Sequence, residues 1–143
     1  MSQHYDHIQI NTDGGSRNNP GPAAIGVVAK SDNQEIFTIS KKIGINTNNV
    51  AEYQAVISAL EEYQSQDISS LSLNFILDSE LVVKQIVGLY KIKQQHLQLL
   101  KNIIDALIKT LKENQKIKDL TFVNVLRAQN KEADKLVNMA LDS

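Results

Sequence analysis

Four acidic residues stand where the chain changes direction: Asp13, Glu52, Asp78 and Asp134. Carboxylates brought together repel one another unless a cation neutralises them. All four are hard oxygen donors, and the chain has no cysteine and no paired histidines, so magnesium or manganese is the expected ion and zinc is not. Two such ions about 3.5–4 Å apart can activate water and stabilise the leaving oxygen of a phosphodiester. Each acid also has an ordinary structural explanation. Asp13-Gly14 reads as a turn pair after a strand, and Asn49-Val50-Ala51-Glu52 as a capping box in which Glu52 bonds back to an asparagine cap. Asp78 could cap a helix beginning at Ser79, and Asp134 could sit in a first helical turn where the macrodipole favours negative charge.

The elements that would position these acids are legible from periodicity. Residues 7–13 alternate, with Ile8, Ile10 and Thr12 on one face and Gln9, Asn11 and Asp13 on the other, which predicts a strand. The segment GGSRNNPGP then reads as a turn. Residues 24–30 and 35–43 are β-rich runs separated by Ser31-Asp32-Asn33-Gln34, a hairpin. A helix is expected over 49–64, a strand over 71–77, and a short helix over 79–87 that stops near Gly88. A longer helix is expected over 94–113, a fifth strand over 120–126, and a closing helix over 131–141. The order β-β-β-α-β-α-α-β-α implies one domain with a mixed sheet and helices packed against it.

The spacing of the acids fits that frame. Asp13 and Asp78 each end a strand and share a face with alternate residues, Gln9 and Asn11 in one case and Ser72, Asn74 and Ile76 in the other. Parallel neighbours would bring both carboxylates to one sheet edge, where the strand order reverses and open α/β sheets bind ligands. Glu52 heads the helical stripe Ala55, Val56, Ala59, Leu60 and Tyr63, so it points toward the core rather than into solvent.

Composition narrows the class. With 143 residues, 42% hydrophobic and 22% charged, the chain suits one globular domain and excludes disordered and fibrous classes. No apolar run approaches the ~20 residues of a membrane span. The opening MSQHYDH is polar, so no secretory signal is expected, and the expected setting is the cytoplasm. The net charge of −1 hides an asymmetry: between Lys84 and Lys118 eight lysines face two acids, Asp105 and Glu113. A basic segment beside an acidic site fits a polyanion lying on one while a single phosphate reaches the other, although taken alone such a charge run is more commonly a solvated helix face.

Four segments taken together resemble the type 1 ribonuclease H family: INTDGGSRNNPGPAAIGVV, NTNNVAEYQAVISAL, LNFILDSELVVKQI and VLRAQNKEADKLVNMAL. The resemblance implies a ribonuclease H-like fold, a five-stranded mixed sheet in the order 3-2-1-4-5 flanked by helices. It implies endonucleolytic cleavage of the RNA strand of an RNA/DNA hybrid by water, with two ions, leaving 5′-phosphate and 3′-hydroxyl ends. The family's four metal-binding carboxylates fall on Asp13, Glu52, Asp78 and Asp134. Its substrate-contacting positions fall on Gly14, Gly15, Asn19, Asn48, Asn49 and Asn130, and asparagine amides can meet 2′-hydroxyls and base edges.

Two departures stand out. Many bacterial members carry a tryptophan-containing basic protrusion, whereas here Leu89-Tyr90-Lys91-Ile92-Lys93 leads almost directly into the long helix and the chain has no tryptophan. The resemblance is therefore to the short subgroup, with Lys91 and Lys93 as partial replacements for the protrusion and double-stranded RNA as a further substrate that a shape-reading groove could admit. Where the family often has a histidine upstream of the fourth acid, this chain has Arg127, expected to support the scissile phosphate; guanidinium pairs with phosphate but cannot act as a base. A monomer is expected. The rival readings are a related 3′-5′ exonuclease, a non-catalytic nucleic-acid-binding module and a purely structural interaction domain.

Overall fold

The computed structural model describes residues 2–143. β1 (Gln3–Ser16), β2 (Gly21–Ser31) and β3 (Gln34–Asn46) form an antiparallel meander. Between β2 and β3 the two tip residues Asp32 and Asn33 both have positive φ, 49° and 66°, the backbone that matches a two-residue turn to strand twist. The chain then runs through α1 (Asn48–Ser65), β4 (Ile68–Leu77), α2 (Glu80–Ile86), α3 (Gln95–Glu113), β5 (Ile117–Asn124), a 3₁₀ turn (Arg127–Gln129) and α4 (Lys131–Leu141). The sheet order is β3-β2-β1-β4-β5, with β4 parallel to both β1 and β5, so the order reverses between β1 and β4 as expected.

The core lies between one sheet face and α1 and α3. Ile8, Ile10, Val27, Ala29, Leu73 and Phe75 meet Tyr53, Val56, Leu60, Ile104 and Leu111 in a single buried cluster. Most helical stability of this kind comes from packing such faces, not from intrinsic propensity. α4 covers the opposite face, where Val137 and Ala140 pack on Ala24. It lies close because Gly26 has no side chain: a Cβ there would stand 2.2 Å from the Ala133 carbonyl oxygen.

Several boundaries differ from expectation. β1 begins four residues earlier and continues past Asp13 to Ser16, because Gly14, Gly15 and Ser16 still pair with β2. β5 starts at Ile117, which is buried between the half-buried Lys116 and the exposed Lys118, and ends before Val125 and Leu126. The cap of α1 is Thr47, whose hydroxyl accepts from the Val50 N–H, and not Asn49. Ser79 caps α2 by accepting from the Val82 N–H, so Asp78 is free of that duty.

Candidate active site

Register places the acids. β1 and β4 pair in parallel up to Asn11 beside Ile76, and two residues further along each chain come Asp13 and Asp78. β1 stays bonded to β2 beyond that point, so the strands part where the two carboxylates stand. Asp13 thus stands just past the β1–β4 pairing while still paired to β2.

Glu52 arrives from the α1 side. The helix crosses β1 so closely that a Cβ on Gly14 would lie 2.2 Å from the backbone carbon and oxygen of Ala51. This crossing puts Glu52 Oε1 2.5 Å from the Gly14 N–H, which donates to it. Of the two sequence readings of Glu52, the capping box is not formed: Thr47 caps α1, and Glu52 accepts from Gly14 on β1. Gly14 is required for this helix–strand contact, whereas Gly15 has room, its Cβ position meeting only Val137 Cγ1 at 3.7 Å.

Oxygens of Asp13, Glu52 and Asp78 all lie within 4.8 Å of one another. Asp134 comes from the first turn of α4, held at the sheet by the Gly26 contact, and shares with these three acids the lining of one open cleft of about 460 Å³. Asp13 and Glu52 are each only 6% exposed. Burial first, and the charge of Asp78 second, push the Asp13 carboxyl up from 3.8 to about 7, with a hydrogen bond from Glu52 opposing the rise. Burial and then the Asp13 charge push Glu52 well above its ordinary 4.5, against the pull of the Gly14 N–H. Asp78 Oδ2 is buried with no hydrogen-bond partner. Among the described residues no lysine or arginine forms an ion pair with any of the four acids. A set of hard oxygens, two of them on carboxyls whose pKa is raised by burial and then by neighbouring charge and one unpartnered, suits a divalent cation of the magnesium or manganese type.

Around the acids the structure sorts the remaining candidates. Arg127 lines the cleft together with Asn48 and Asn49. Asn48 accepts from the Ser16 N–H at 2.8 Å, and Asn19 accepts from the Asn48 N–H at 2.9 Å. Both asparagines use their carbonyl oxygens to tie the β1–β2 turn to α1. Asn130 is corrected from substrate contact to internal brace. It is 1% exposed, donates to the Thr12 carbonyl and accepts from Asn11, both at 2.9 Å. It thereby fixes α4, and Asp134 with it, to β1.

Lys91 and Lys93 line a shallow hollow with Asn49, Gln85 and Leu97, next to the acidic cleft through their shared Asn49. The rest of the basic segment goes elsewhere. α3 has 19 residues and is about 28 Å long, which carries Lys112 to the far end, beside His4 and Lys118. Lys101 is paired to Asp105, and Lys116 closes the end of α1 through the Gln66 carbonyl. The lysines therefore do not form one continuous path. Sequence reasoning missed Arg17 and Asn138, which also line the cleft. Asn138 lies one helical turn after Asp134 on the same face, and Arg17 is the lone charge in the turn following Asp13.

Comparison with known proteins gives the family. A family model described as reverse transcriptase-like matches residues 11–140. The chain is 38% identical over 138 residues to Bifunctional protein Rv2228c of Mycobacterium tuberculosis, covering 95% of this chain and 36% of that protein. It thus spans about a third of the length of such curated relatives. Among solved structures it is similar to RNase H1 from the halophilic archaeon Halobacterium salinarum, with a TM-score of 0.85, 34% identity and coverage of 95% of this chain and 98% of that one. It is also similar to LC11-RNase H1, isolated from compost by a metagenomic approach and solved in complex with an RNA/DNA hybrid, with a TM-score of 0.82, 41% identity and coverage of 94% and 96%. The short stretch between α2 and α3 leaves no room for an extra basic protrusion, and the chain belongs to the type 1 ribonuclease H family.

Proposed function

We propose that this domain is an endoribonuclease that hydrolyses the RNA strand of RNA/DNA hybrids, leaving 5′-phosphate and 3′-hydroxyl ends. The observation that carries the reading is the convergence of Asp13, Glu52 and Asp78 within 4.8 Å, with Asp134 on the same cleft, in a member of this family. A family relative was solved with such a hybrid.

Asp13, Glu52, Asp78 and Asp134 would hold two divalent ions, magnesium or manganese. Bound there, such ions would activate the attacking water and stabilise the leaving 3′-oxygen. The chain's own residues do the rest. The Gly14 N–H fixes the Glu52 carboxylate, so its orientation is set before substrate arrives. Neither serine of the cleft is poised as a nucleophile: Ser79 caps α2 and Ser16 is bonded to Asn48. Water is the attacking group; the bond from phosphorus to the 3′-oxygen breaks, and the phosphate stays on the 5′ side of the downstream fragment. Arg127 at the cleft lip pairs with a phosphate oxygen and cannot take a proton from water. The amide donors of Asn19, Asn48 and Asn49 meet sugar hydroxyl and base acceptors, and Gly15 leaves the backbone open to a close strand. Lys91 and Lys93 meet the backbone of the opposite strand.

The proposal includes a monomer acting in the cytoplasm, and admits double-stranded RNA as a slower substrate. Among the described residues no helix is long and apolar enough to cross a membrane. The test is a substrate panel: end-labelled RNA/DNA hybrid, single-stranded RNA, double-stranded RNA and duplex DNA, with the product ends typed enzymatically. Internal cuts in the hybrid RNA with 5′-phosphate ends are expected. Hybrid binding without cleavage would leave only a binding module, and cleavage from strand ends alone would leave an exonuclease.

A further inference from the structure

Arg17 stands at the cleft without any part in the acidic cluster. β1 runs extended through Ser16, so the Arg17 backbone lies four residues, or about 13 Å, beyond Asp13 along the strand line. Its position is fixed from both sides. The Arg17 N–H donates to the Pro22 carbonyl at 2.9 Å, and neighbouring Ser16 is tied to Asn48. Its guanidinium rests on α4: Nη1 is 2.7 Å from Asp142 Oδ1, and Nη2 donates to Asn138 Oδ1 at 3.5 Å.

The Asp142 pairing is a weak hold. The two side chains are 47% and 66% exposed, and ion pairs this open contribute little because water and salt screen them. A phosphodiester offers the same two-oxygen anionic face as a carboxylate, and guanidinium matches both geometries. The residue therefore has an anchored backbone, a cleft-facing charge and a partner that a phosphate can displace at little loss.

We infer that Arg17 grips a backbone phosphate of the cleaved strand, one or two nucleotides from the scissile one, and that Asp142 holds the guanidinium as a stand-in anion until nucleic acid arrives. The inference rests on the proposed hybrid substrate and adds a contact that selects for a continuous strand.

The test measures hybrid binding by fluorescence anisotropy in chelator, across a salt series, beside steady-state cleavage in magnesium. Arg17→Ala should weaken binding and raise KM roughly tenfold. It should also lower the salt slope by about 0.7–0.9, the share of one phosphate, while kcat changes less. Asp142→Asn should tighten binding about two- to fivefold, and the double variant should match Arg17→Ala. Wild-type affinity and salt slope in Arg17→Ala would overturn the inference. So would a fall in kcat at constant KM, which would make Arg17 a positioning residue for α4 through Asn138. Binding is read without cleavage, so a protein that binds hybrid through Arg17 but does not cut it refutes the proposed function alone.

Discussion

Replacing Asp13 by asparagine should abolish cleavage and yet stabilise the metal-free protein. The Asp13 carboxyl is raised from 3.8 to about 7 by burial and by Asp78, so the folded state holds this proton more tightly than the unfolded chain does. Stability then falls as pH rises from about 4 to about 7, and the full penalty applies above 7. Three units at about 1.4 kcal/mol each give an upper bound of about 4 kcal/mol, reduced in practice because Glu52 shares the proton and the site relaxes. Asparagine is nearly the same shape, carries no charge and can donate to Glu52 or Asp134. Urea denaturation in chelator should therefore show Asp13→Asn more stable by about 1–4 kcal/mol at pH 8, with the difference shrinking toward zero near pH 4. Saturating magnesium should narrow or reverse the gap, because the wild type gains more from binding the ion. A folded variant that is no more stable than wild type at pH 8 in chelator would refute the electrostatic account of the site.

Other consequences can be checked with the same preparations. Gly14→Ala should lose about 2 kcal/mol or more and most activity, since its Cβ meets α1 backbone at 2.2 Å, whereas Gly15→Ala should keep wild-type stability in urea melts. Asn130→Ala leaves the Thr12 carbonyl without its amide donor and should cost about 1–3 kcal/mol, with a lower kcat as Asp134 loosens. Full stability in that variant would contradict the brace. Arg127→Ala should lower kcat about tenfold with magnesium affinity by calorimetry unchanged; an unaltered rate would remove it from the site.

The sequence showed the site more fully than its supports. The equal offset between β1 and β4 is readable because each acid ends a predicted strand on the face that carries its polar residues, Gln9 and Asn11 in one and Ser72 and Asn74 in the other, and the stripe below Glu52 announced its inward direction. The partner of Glu52 was not readable: a capping box and a reach to Gly14 share the pattern Asn-x-x-Glu, and only the closeness of α1 to β1 separates them. Ile117 was hidden because lysines flank it, though backbone pairing to Ser70 and burial of one side chain suffice to start β5 there. Charge totals could not reveal that α3 carries three of the eight lysines, Lys112 of them to the far end from the cleft, since that depends on helix length and direction. Arg17 was overlooked because a turn arginine has no periodic signature, and its meaning comes from what α4 brings beside it.

The most direct test of the central claim is cleavage of a labelled RNA/DNA hybrid by wild type and by Asp13→Asn, each with magnesium and with chelator. The account predicts internal cuts in the RNA by wild type with magnesium only, and a loss of at least about a hundredfold in the variant at unchanged fold, because a ligand supplying several kcal/mol of charge stabilisation is gone. Comparable cutting by the folded variant, or cutting that persists in chelator, would contradict it.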